Sequence, residues 1–75
     1  MQCFEYKGFM IYPAPRLSLD SGYWMIYLTI SRDKMEKSFS APNSFTTKAQ
    51  AAFHSIHYGK KIIDGEIDEH TIDGI

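Results

Sequence analysis

Apolar and polar positions alternate along the first half of the chain, and the period then changes. Residues 3–6 and 9–12 are aromatic and β-rich, with Lys7-Gly8 between them. A glycine in the second place of a two-residue turn supplies the positive φ that a tight hairpin needs. That register sets Tyr6 opposite Phe9 and Phe4 opposite Ile11, all four on the core side of a sheet. Cys3, Glu5, Met10 and Tyr12 fall on the other side, because side chains alternate along a strand. Pro13 and Pro15 interrupt the second strand and mark an edge, since proline has no N–H for a ladder. Leu17 and Leu19 are expected to continue it beyond the break. After a turn at Asp20-Ser21-Gly22, Tyr23 to Ser31 has the strictest alternation in the chain. Trp24, Ile26, Leu28 and Ile30 form its core face, and Tyr23, Met25, Tyr27 and Thr29 its outer face. Arg32-Asp33-Lys34 reads as a turn and Met35 to Ser40 as a weaker strand with Met35 and Phe39 inward. Ala41 to Thr46, holding Pro42 and Asn43, is expected to be a loop.

Helical spacing takes over at Thr47-Lys48-Ala49-Gln50, which fits a capping box with Thr47 as N-cap and Gln50 reaching back. At 100° per residue, Ala49, Ala52, Phe53, Ile56, Gly59 and Ile63 share one arc. A helix to about Asp64 is expected, with Gly65 as its stop. Gly59 costs about 1 kcal/mol in a helix interior, so its presence predicts a close approach to the sheet. The predicted fold class is α+β: a three- to four-stranded antiparallel sheet followed by one long helix packed on one face, in the order β-β-β-(β)-α.

The 75 residues suit one small domain, expected over residues 1–65, with a core drawn from the 44% of positions that are hydrophobic. A chain this short buries only about 60% of its unfolded surface, which leaves room for oligomerisation. The net charge of −1 conceals an asymmetry. Through Ile63, eight basic residues face four acids, a net +4; from Asp64 onward there are five acids and no bases. Residues 66–75 are therefore expected to form an acidic, mobile tail. Ile67, Ile72 and Ile75 leave open a tail that folds back on the basic body. No apolar run nears the roughly 20 residues of a membrane-spanning helix. No basic stretch followed by an apolar run opens the chain, so no signal peptide is expected. Cys3 is the sole cysteine, which points to a reducing cytoplasm.

Three segments together carry a resemblance: Tyr6-Lys7-Gly8-Phe9, Ser21-Gly22-Tyr23-Trp24, and Phe45-Thr46-Thr47 through Ala52 to Gly59-Lys60-Lys61-Ile62-Ile63-Asp64-Gly65. The set resembles small uncharacterised bacterial proteins with a curled antiparallel sheet and one long C-terminal helix. Their layout is similar to the core of double-stranded-RNA-binding domains. The resemblance covers most of residues 4–65 and implies a fold and a bacterial origin; it implies no activity.

The chemistry-bearing residues point away from catalysis. Cys3 has no histidine near it in sequence, and no serine or threonine sits in a nucleophile elbow or a Gly-rich phosphate loop. No catalytic residue and no cofactor is expected. His54 and His57, at i and i+3, have only Asp64 as a nearby carboxylate, too few ligands for a closed metal site. Asp64-Gly65-Glu66-Ile67 mimics the middle of a calcium loop, but Lys60, Ile62 and Thr71 stand where acidic ligands belong. The remaining candidate is the outer sheet face, with Met10, Tyr12, Tyr23, Met25 and Tyr27 as binding residues. Tyrosine and methionine suit protein interfaces, so the expected partner is a protein or a second copy in a weak homodimer. The alternative is an RNA- or DNA-binding module, since sheet aromatics also stack bases. Against it stand a pI near 6.2 and a helix start with one lysine, where double-stranded-RNA-binding modules carry a cluster.

Overall fold

A computed structural model describes residues 3–75 of the protein. Five antiparallel strands, β1 (Phe4–Tyr6), β2 (Phe9–Pro13), β3 (Arg16–Leu17), β4 (Trp24–Arg32) and β5 (Met35–Phe45), precede one helix, α1 (Lys48–Ile63). This is the expected α+β layout, with five strands where three to four were expected, because β3 is a separate short strand beyond the prolines. The first hairpin has the expected register, with Phe4 opposite Ile11 and Tyr6 opposite Phe9. Lys7 and Gly8 both have positive φ, 51° and 84°, as a type I′ turn requires.

β4 is the centre of the sheet. It pairs with β5 on one side and with both β2 and β3 on the other. Pro13 faces Leu28 and Arg16 faces Met25, so β2 and β3 keep one register across the break. The Ala14 N–H donates to the Tyr27 carbonyl at 2.7 Å between the two prolines. Because N–H groups alternate in direction along a strand, Pro13 and Pro15 stand where the missing donors would point away from β4. They blunt that edge against further pairing. Leu17 continues the strand as expected, but Leu19 does not. It lies beyond β3 and is 91% exposed.

The expected loop at Ala41 to Thr46 is instead strand. β5 runs through to Phe45 and absorbs Pro42 and Asn43 as a two-residue bulge. Ile26 pairs with Ala41, but Met25 pairs with Ser44. A proline and an asparagine lower strand propensity, yet a bulge at an outer strand accommodates both without breaking the ladder. Phe9, Ile11, Ile26, Leu28, Ile30, Phe39 and Ala41 form the buried inner face together with Ile62 of the helix. Met35, expected inward, is 55% exposed because it sits at the hairpin turn beyond the covering layer.

Thr47 caps α1 as expected, accepting from the Gln50 N–H at 3.1 Å. The Gln50 side chain does not close the box; its Oε1 accepts from the Thr46 hydroxyl at 2.9 Å. The buried stripe of α1 is Ala51, Ser55, Gly59 and Ile62, which shares only Gly59 with the expected arc. The helix is turned by about one residue, roughly 100°, and Phe53 is left 58% exposed. Small residues at 51, 55 and 59 let the backbone settle onto the sheet, which a stripe carrying Phe53 would hold away. Ser55 is fully buried, and its hydroxyl donates to the Ala51 carbonyl at 2.7 Å, so no polar atom is left unpaired there.

Residues 66–75, expected as a mobile tail with folding back as the alternative, lie against the inner face. Ile67, Ile72 and Ile75 pack on the core cluster. Lys37 Nζ donates to the Thr71 carbonyl at 3.0 Å and Arg32 to the main-chain oxygen of Ile75 at 2.7 Å. His70 meets the edges of Phe39 and Tyr58, with centroids 5.3 and 5.9 Å apart.

Candidate functional site

The helix and the tail both lie on the inner face, so among the described residues the outer face of the sheet carries no second layer. Met10 and Tyr12 reach it from β2, and Met25 and Tyr27 from β4; all four are half-buried. Alternation along two paired strands brings them together. Tyr12 is directly opposite Thr29, and Met10 is opposite Ser31. Tyr23 lies just before β4 and is 47% exposed, at the end of the patch rather than within it. Thr29 and Ser38 are joined by their hydroxyls at 2.9 Å, which fixes the polar border on the β5 side.

Arg16 also belongs to this face. Its guanidinium carbon lies 4.0 Å from the centre of the Tyr27 ring, close enough for a cation–π contact. Sequence reading passed over Arg16 because two prolines separate it from the strand. The signal is the unbroken register across Pro13-Ala14-Pro15, which sets Arg16 opposite Met25. Ala14 is the one small side chain in that row, and an open dip of about 320 Å³ lies there. Tyr12, Pro13, Ala14, Thr29 and Glu36 line it.

The ionisable groups that interact most closely are elsewhere, where the first hairpin meets the end of α1. Lys7 Nζ lies 2.6 Å from one carboxylate oxygen of Asp64, and the Tyr6 hydroxyl donates to the other at 2.8 Å. Hydrogen bonds from Lys7 and Tyr6 hold the Asp64 carboxyl below its ordinary range; burial opposes them and the charge of Lys7 adds to them. The same bond to Asp64 raises Tyr6 and Lys7. Asp64 at a helix C-terminus is electrostatically misplaced, and the Lys7 cation offsets it. The trio clamps the hairpin to the helix end.

His54 and His57 lie on the exposed side of α1, where sequence spacing puts them. The His54 ring stacks flat on Phe45 at 4.4 Å and 7°, and His57 meets Phe53 at 4.5 Å. Among the described residues no three His, Cys, Asp or Glu side chains are grouped to hold a metal ion. Cys3 is exposed and free. No helix of the described residues is long and apolar enough to cross a membrane. The chain matches no protein-family model and no curated protein.

Proposed function

We propose that the protein is a small non-catalytic binding module that engages a protein partner, or a second copy of itself, through the outer face of its sheet. The observation that carries this reading is that no described residues form a covering layer over Met10, Tyr12, Met25 and Tyr27, while helix and tail both lie on the opposite face. Rigid, half-buried tyrosines and adaptable methionines are suited to a contact surface. The closest ionisable trio, Tyr6, Lys7 and Asp64, is accounted for as a clamp, which favours a non-catalytic role. A cytoplasmic setting fits the single free thiol.

The second reading is an RNA- or DNA-binding module. It draws on Arg16 over Tyr27 and on the likeness of a sheet-plus-helix layout, and of small bacterial proteins that share it, to double-stranded-RNA-binding cores. Glu5 and Glu36 point to the same outer face and would repel phosphates, so the protein partner is favoured.

Two measurements separate the readings. Amide shifts followed on dilution, and capture from lysate with and without nuclease, should give nuclease-resistant binding that Tyr12→Lys or Met25→Lys weakens about tenfold or more. Capture that disappears with nuclease supports the nucleic-acid reading. Binding that both variants leave intact sinks the outer-face assignment.

A further inference from the structure

A second concavity lies on the other side of the sheet, between α1 and the far end of β5. Its volume is about 230 Å³. The floor is apolar, from Ile26, Phe45 and Ile67, and the rim carries Asn43, His54, His57, Tyr58 and Lys61. The four rim residues on α1 fall at i, i+3, i+4 and i+7, which is one stripe of a helix. The Pro42-Asn43 bulge shifts β5 so that Phe45 comes under His54, and the stacked rings hold that imidazole flat.

Asn43, His54, His57 and Lys61 are exposed, and two features of this rim leave it able to hold an anion. Asn43, His54, His57, Tyr58 and Lys61 make no side-chain hydrogen bond or ion pair among the described residues. No carboxylate lines the groove, although the chain has nine acids; two further concavities contain Asp64, Asp68 and Asp73 or Glu36. Glu69, whose charge helps burial to raise the Tyr58 hydroxyl, is not one of the lining residues. The Tyr58 hydroxyl is a donor. Five donor-bearing side chains thus surround an apolar base, and Lys61 brings a full positive charge.

We infer that this groove is a binding site for a small anion with a flat apolar body, an aromatic carboxylate in chemical class. The ring of the ligand lies beside the stacked Phe45 and His54 rings and against Ile67, and its carboxylate accepts from Lys61 and the His57 edge. The volume is below the roughly 300 Å³ at which ordinary ligand sites begin, which suits a one- or two-ring acid and leaves little room for a nucleotide. The site is independent of the outer-face reading, since it lies on the opposite side of the sheet.

The test uses the whole chain and amide-shift titration with 1-naphthoate, its neutral counterpart 1-naphthylmethanol, acetate and AMP. Naphthoate should bind in the millimolar range or tighter and move Asn43, Phe45, His54, His57 and Lys61. Naphthylmethanol should bind about tenfold more weakly, since it lacks the charge-assisted hydrogen bonds, and acetate should not saturate. Lys61→Gln should weaken naphthoate by a similar factor, and Lys34→Gln, in the β4–β5 turn, should have no effect. The inference is overturned by any of four results: no saturable binding of naphthoate, equal binding of the neutral alcohol, shifts confined to other residues, or tighter binding of AMP at the same residues.

Discussion

Gly59 is where the helix comes closest to the sheet. A Cβ built there would stand 3.0 Å from methyl carbons of both Ile11 and Leu28, two fully buried side chains of the core. Such a contact is too short for carbon atoms, whose favourable separation is about 3.5–4.0 Å. The residue therefore gives up helix propensity to gain packing. Gly59→Leu is expected to destabilise the fold by about 1–3 kcal/mol through overpacking, although leucine is the better helix former. A thermal melt checks this, and a variant melting at or above the parent temperature removes the close approach from the account. The same scale explains the rotation of α1. Summed hydrophobicity favours a face with Phe53, but the fit to Ile11 and Leu28 selects Ala51, Ser55 and Gly59.

At the scale of elements, the first hairpin and α1 are joined through Tyr6, Lys7 and Asp64. Asp64 has a lowered pKa in the folded chain, so the unfolded state takes up its proton first as pH falls. Its contribution is present in full above the ordinary aspartate value and is lost as pH drops through the lowered folded value. Lys7 and Tyr6 have raised values. Their contributions are present below their ordinary values and are lost as pH climbs through the raised ones. The clamp is thus intact across the neutral range and opens at both extremes. Asp64→Asn should flatten the acid limb of the stability–pH profile between about pH 4, the ordinary aspartate value, and more acid conditions. Urea melts across that window measure it, and an unchanged acid limb would show that other carboxylates carry the dependence. The cluster is exposed, so salt is expected to reduce its effect.

Across the whole molecule, the acidic side chains of the tail do not carry its contact with the basic body. Arg32 and Lys37 take main-chain oxygens of Ile75 and Thr71, and the isoleucines supply apolar contact. The acids of residues 66–75 form no salt bridge among the described residues. Salt screens exposed charges over about 10 Å at 0.1 M, but it does not weaken apolar burial. Raising salt is therefore expected to leave the tail in place. Truncation after Gly65 should move the amide resonances of Arg32, Lys37 and Phe39 and leave those of Tyr12 and Tyr27 where they are. Unchanged resonances at Phe39 would show that the tail does not hold its position in solution.

What could be read from the residues alone was whatever depends on near neighbours. The Lys7-Gly8 turn determines the first hairpin, because two positive φ values and a two-residue loop leave one register. The alternation from Trp24 to Ile30 determines which face of the central strand is buried, because the period of a strand is two. Thr47 determines where the helix begins, because its hydroxyl reaches an N–H three residues away. The outer-face placement of Met10, Tyr12, Met25 and Tyr27 follows from the same alternation. Only the tertiary structure decided how α1 is rotated, since that depends on the shapes of Ile11 and Leu28, far away in the chain. It alone carried β5 through Pro42 and Asn43, because a bulge is stable only when β4 supplies partners on both sides of it. It alone brought Arg16 over Tyr27, Phe45 under His54 and the tail onto Phe39. Those contacts join segments separated by long stretches of chain, and no local period encodes them.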